Sequence, residues 1–129
     1  MKKIAEHVSF GGLVQYHEHH SDVCKSKMTF AIYLPGLAQK QTVPAIYWLS
    51  GLTCTHENFI TKAGAQRYAN EQGVALIIPD TSPRNLDING ADQIYHVGYG
   101  AGFYVDANEK PWSEHFKMYS YVLDELPAL

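Results

Sequence analysis

Cysteine is scarce in this chain. Cys24 and Cys54 are the only two among 129 residues, and they form neither a CxxC pair nor a zinc-binding spacing. That excludes a disulfide framework and makes a reducing, cytoplasmic setting the expectation. No apolar run is long enough to cross a bilayer, so no membrane-spanning helix is expected. The opening Met1–His7 carries Lys2 and Lys3 but no apolar stretch behind them, which argues against a secretory signal. Basic clusters are missing too. Ten Lys plus Arg are scattered among thirteen Asp plus Glu, for a formal net charge of -3, and a nucleic-acid partner is not expected. Repeats, low-complexity tracts and long linkers are absent. At 46% hydrophobic and 18% charged residues, the chain can build one domain with a real core.

The remaining pattern alternates strands and helices. Met28, Phe30, Ile32 and Leu34 alternate with Lys27, Thr29, Ala31 and Tyr33, which predicts a strand over Ser26–Leu34 with one face in the core. Pro35-Gly36 ends it. The stretch Val8–His20, broken at Gly11-Gly12, predicts another strand antiparallel to it. Val43–Leu49 and Val74–Pro79 are nearly continuous apolar runs, the character of parallel strands covered by helices on both faces. Between them, Glu57–Gln72 predicts a helix, or two split near Gly64, with Gly73 as the stop. Strand, helix, strand is a crossover unit, expected to be right-handed. Asp80–Gly102 has little periodicity, and irregular stretches of that length usually serve function. Ser113–Leu126 predicts a helix with Met118, Val122 and Leu126 on one face and Tyr119 and Leu123 beside them.

Candidate chemistry is sparse. His17, Glu18, His19 and His20 are metal-ligand types, but on a strand residues 17 and 19 face one way and 18 and 20 the other. Two ligands per face and no third leave a solvated strand face as the expectation, with no metal and no cofactor. Cys54 is either a small packing residue or a thiol activated by nearby His56. A helix beginning just after it would lower the thiol's pKa. No serine has the GxSxG setting of a nucleophile elbow, so the chain shows no complete triad. The turn Ser50-Gly51-Leu52-Thr53, following an apolar strand, has what an oxyanion-hole turn needs: a small residue and a spare amide.

Several blocks in register carry a resemblance. Tyr47–Thr55, Glu57–Ile60, Pro79–Arg84, Gly100–Ala107, Pro111-Trp112 and Lys117–Val122 with Glu125–Pro127 resemble the S-formylglutathione hydrolase (esterase D) family, over essentially the whole chain from Phe10 onward. The resemblance implies an α/β-hydrolase serine esterase that cleaves the thioester of S-formylglutathione to formate and glutathione in formaldehyde detoxification. It implies a catalytic role for Leu52, whose backbone N–H serves the oxyanion hole, with Gly51, Thr53 and Cys54 near the active site. It also implies that residues 1–129 are the N-terminal portion of a single α/β-hydrolase domain, truncated after four strands and the helix leading to the fifth. The family's elbow serine, acid and histidine fall beyond this sequence. The chain alone is therefore expected to be inactive, and to act on S-formylglutathione or small esters only when completed. The alternative is a non-catalytic remnant or assembly module. Asn85 stands where glycine usually follows Pro-Arg, and Tyr95–Tyr99 strays from the family pattern, departures that bear on the local loop shape and not on the family. Without a fifth strand beside Val43–Leu49, an apolar edge would lie open, and homo-oligomerisation through exposed strand edges is expected.

Overall fold

The computed structural model describes residues 1–129. Five strands form one mixed sheet: β1 (Lys2–Ser9), β2 (Gly12–Ser21), β3 (Ser26–Leu34), β4 (Ala45–Tyr47) and β5 (Ala75–Pro79), in the order β1-β2-β3-β5-β4. All neighbours are antiparallel except β4 and β5, which run parallel. The crossover between those two contains α1 (His56–Lys62) and α2 (Gln66–Gln72), split as the sequence predicts, with Gly73 left-handed at the stop.

Three expectations about the strands need correction. Val8–His20 is not one strand. Phe10 (φ 45) and Gly11 (φ 80) form a two-residue turn with both φ positive, the hairpin geometry that matches strand twist, so β1 folds back on β2 and begins at Lys2. Second, β3 is buried on both faces rather than one, because it lies in mid-sheet. Ala31 and Tyr33 pack with Ile60, Ala69, Leu76 and Ile78 beneath α1 and α2. Met28 and Phe30 pack on the opposite face with Met118, Tyr121, Val122 and Leu126. Third, the run Val43–Leu49 supplies only a three-residue edge strand. Ile46, Trp48 and Leu49 remain 54%, 45% and 44% exposed.

The C-terminal helix also starts later than Ser113. A 3-10 turn takes Trp112–Glu114, and Lys117 pairs in a bridge with Asp106. The helix then runs as α3 (Met118–Ser120), prolonged by a π turn (Tyr121–Glu125) and a 3-10 turn (Leu126–Ala128). Asp106 fixes this start, accepting hydrogen bonds from Ser120 N and Ser120 Oγ at 3.1 and 2.5 Å. Met118, Val122 and Leu126 share the buried face as expected, while Tyr119 and Leu123 are exposed.

His17 and His19 are both buried, so the face carrying them is not solvated, and the helix reaches His19 through Tyr121. His17 stacks on Phe30 at 5.2 Å and His19 on Tyr121 at 5.7 Å, with His19 Nε2 3.0 Å from Tyr121 Oη. Glu18 faces the other way and pairs with Lys2 and Lys27. No group of three or more His, Cys, Asp or Glu side chains is placed to hold a metal ion.

Burial holds both imidazoles below the ordinary histidine range; nearby Lys3 adds to this at His17, and Glu125 opposes it at His19. The unfolded chain therefore takes up these protons first as pH falls below about 6.5. Stability is full above that pH and declines toward the lower folded-state pKa values. The urea midpoint is expected to be lower at pH 5.5 than at 7.5. An H17F variant, which keeps the stack on Phe30, is expected to show a smaller drop.

Candidate active site

Beyond Tyr47 the chain leaves the sheet edge but stays tied to it by Trp48 N–H donating to Ile77 O at 2.9 Å. It then makes a tight turn. Cys54 N–H donates to Gly51 O at 3.1 Å, which places Leu52 and Thr53 at the two central positions. Thr53 has φ 69 and Leu52 does not have a positive φ, so the turn is of type II. Glycine normally occupies the second central position, and a β-branched residue there holds strain on the order of 1–2 kcal/mol. Immediately afterwards Thr55 caps α1: its hydroxyl accepts from Glu57 N–H, and Asn58 Oδ1 accepts from Thr55 N–H.

Polar partners grip this turn from two other loops. Thr53 N–H donates to Gly100 O at 2.9 Å. Tyr104 Oη donates to Ser50 O at 2.8 Å. The Cys54 carbonyl accepts from Thr81 Oγ1 at 2.5 Å and from Arg84 Nη2 at 3.1 Å. Of the two central N–H groups, one is left over. The Leu52 N–H donates to no protein acceptor. Leu52 lines a cavity of about 280 Å³ with Leu49, Ser50, Gly51, Thr81, Gly100, Phe103 and Tyr104. An unpaired amide at the wall of a cavity can serve an anionic oxygen.

The gripping residues have their own electrostatics. Asp80 is 3% exposed. Burial alone would raise its pKa, but the nearby His56 ring, the hydrogen bonds and charge of Arg84 and the Thr81 N–H outweigh burial and hold the carboxyl below the usual range. Arg84 meets it with Nε 3.0 Å from Oδ2 and Nη2 3.0 Å from Oδ1. Burial, aided by the nearby Asp80 charge, pushes the Tyr104 hydroxyl up, so it donates as a neutral group. Phe103 and Tyr104 both have positive φ, at 47 and 55. Two successive aromatic residues in that region mark stored strain beside the site.

The structure thus separates residues that lie together in sequence. Gly51 and Leu52 line the cavity, whereas Cys54 is half-buried in a neighbouring groove with Trp48, Asn58, Phe59 and Lys62. His56 does not reach the thiol. Its Nδ1 lies 3.2 Å from Thr29 Oγ1 and 3.8 Å from Asp80 Oδ2. Neither a Cys54–His56 pair nor a serine elbow is present. No local sequence signal marks the roles of Asp80, Thr81, Arg84 or Tyr104, although each lies in a block that carries the resemblance. Asn85 adopts φ 58, a conformation asparagine tolerates better than most residues and one suited to the glycine usual there.

Comparison with known proteins agrees with this reading. The profile of the Esterase family matches residues 21–129. S-formylglutathione hydrolase of Rattus norvegicus is 53% identical over all 129 residues, which cover 46% of its length, and that of Mus musculus matches equally. The solved structure of an S-formylglutathione hydrolase from Agrobacterium tumefaciens superposes with a TM-score of 0.96 at 48% identity, over 99% of this chain and 46% of that one. The chain therefore spans about half the length of the relatives it matches, and its mixed sheet with crossover helices is part of the α/β-hydrolase fold, as the resemblance implies. On the family profile and on this fold together, the chain belongs to the esterase family.

Proposed function

We propose that the chain forms the oxyanion side of an S-formylglutathione hydrolase active in formaldehyde detoxification. Residues 1–129 would be the N-terminal portion of one α/β-hydrolase domain, in a cytoplasmic setting that suits its two free thiols. A serine from outside these residues attacks the thioester carbonyl. The oxygen becomes negatively charged and accepts from Leu52 N–H. Collapse breaks the carbon–sulfur bond and releases glutathione, and water then hydrolyses the formyl ester to formate. One observation carries the proposal: of the N–H groups of Leu52, Thr53 and Cys54, those of Thr53 and Cys54 are spent on Gly100 O and Gly51 O, whereas that of Leu52 has no protein acceptor, and Leu52 lines the cavity.

These residues contain no GxSxG, so nucleophile and base must come from elsewhere. The test is a fusion to the part of the rat hydrolase that the alignment leaves uncovered. The fusion is expected to hydrolyse S-formylglutathione, and the 129-residue chain to leave p-nitrophenyl acetate at its background rate. Thiol-reagent-sensitive turnover by the chain alone would shift the chemistry to Cys54.

The exposed β4 edge supports a second role, homo-oligomerisation. Ile46, Trp48 and Leu49 present apolar surface beside unpaired backbone groups. In sedimentation velocity the chain is expected to run as a dimer or larger, and I46K to shift it toward monomer. A wild-type monomer at low micromolar concentration rejects this role. No helix is long and apolar enough to cross a membrane.

A further inference from the structure

Next to the Leu52 cavity lies a second cavity of different chemistry. Its volume is about 190 Å³, and Val97, Ala101, Phe103, Val105, Trp112 and Phe116 supply its apolar walls. No Asp, Glu, Lys or Arg lines it, and its single titratable neighbour is His96, an exposed residue. Phe103 and Val105 are 55% and 56% exposed, so the cavity opens to solvent on one side; its volume still exceeds the roughly 150 Å³ that accepts benzene, so it is large enough for a single aromatic ring.

The walls are held apart by backbone rather than by a filler. Tyr99 N–H donates to Ala91 O at 2.7 Å, Ala101 N–H to Gly98 O at 3.0 Å and Ala107 N–H to Phe116 O at 2.8 Å. Gly98 and Gly102 sit where a Cβ would come within 2.2 Å of Ala91 O and 2.4 Å of Thr81 O, so the loop is already pressed against its supports. Collapse to fill the void would break these contacts. Trp112 and Phe116 are fixed edge-to-face, centroids 5.1 Å apart at 87°. They offer a ring guest both an edge and a face. A charged guest would have no partner there.

We infer that the cavity between the Val97–Ala107 loop and Trp112/Phe116 is a binding site for an uncharged single-ring aromatic group. Phe103 is the wall it shares with the Leu52 cavity, so the bound ring lies one side chain away from it. Occupancy does not depend on acyl transfer next door: ring binding needs only the apolar walls.

Fluorobenzene is the probe, followed by ¹⁹F line broadening and by saturation transfer on the 129-residue chain. Broadening is expected, with intermolecular contacts to the Trp112 and Phe116 rings. A101F and V105F each fill the cavity from a different wall and are expected to weaken binding at least tenfold. Y68S, altering an exposed side chain on α2, is expected to leave it unchanged. A folded wild-type chain, verified by dispersed Met118 methyl signals, that leaves fluorobenzene sharp overturns the assignment. So do contacts that map away from Trp112 and Phe116. If a filling variant fails to fold, the contact map of the wild type decides.

Discussion

In the fusion with the rat hydrolase, L52P is expected to lower kcat for S-formylglutathione by about 10²–10³, the usual effect of deleting one oxyanion donor. The substitution suits the site for a structural reason. Leu52 is the first central residue of a type II turn, where the fixed φ of proline is favoured. Its N–H donates to nothing within the protein, so removing it breaks no internal hydrogen bond. Thr53 N–H to Gly100 O and Cys54 N–H to Gly51 O can both survive. Loss of kcat should therefore come with little change in KM or in Tm, because the bond exists only when the oxygen carries charge. L52A, which keeps the amide, serves as control. An L52P fusion that stays folded and retains kcat within about threefold of the parent would sink the role of this amide.

Loss of Arg84 is the second large effect, and here the readout is stability. R84M is expected to destabilise the chain by about 3 kcal/mol, the low end of what removing one partner of a buried ion pair costs. The low end applies because Arg84 is itself 31% exposed and Thr81 N–H still donates to Asp80. Urea unfolding at pH 7 measures the difference. R84K should fall between, since an ammonium cannot reproduce the two-point contact with Asp80. The pH dependence gives a separate check with a definite sign. In the parent, the Asp80 carboxyl titrates below its unfolded value. Its stabilisation is thus present above about pH 4 and lost as pH falls through the folded pKa. In R84M the buried carboxylate has lost its main partner, and protonation relieves it. The gap between parent and variant should narrow toward pH 4, and a gap that widens contradicts this account of the pair.

Local pattern made much of this architecture legible. The Ser26–Leu34 alternation, the β-branched Val74–Pro79 run and the Gly64 and Gly73 breaks all became the elements expected. What failed was depth. Alternation showed that one face of β3 is apolar but hid the full burial of Ala31 and Tyr33 on the other, because tyrosine is amphipathic and alanine is uninformative. Similarly, His17 and His19 read as solvated polar residues, yet both are buried, His19 against Tyr121 a hundred positions away. Around the site, the turn at Leu52 was visible because glycine and small polar residues follow an apolar strand. The residues that hold it were not. Asp80, Thr81, Arg84, Gly100 and Tyr104 reach Ser50–Cys54 across 27 to 54 positions or through one another, and no spacing rule spans such separations. Nor does propensity announce a threonine at φ 69; a site that holds strain departs from the local rules.

The antiparallel run of β1, β2 and β3 has a consequence for how the chain assembles. Each of those strands finds its partner across a turn of two to four residues, so Lys2–Leu34 can zip together from neighbouring segments alone. β5 must close a loop of some forty residues to reach β3, and the entropy of that closure delays it. During synthesis the three-stranded meander is therefore expected to form at the ribosome exit before β5 arrives. In pulsed hydrogen exchange, protection should appear in Val14 and Phe30 ahead of Ile77; simultaneous protection would mean that the sheet condenses as one unit.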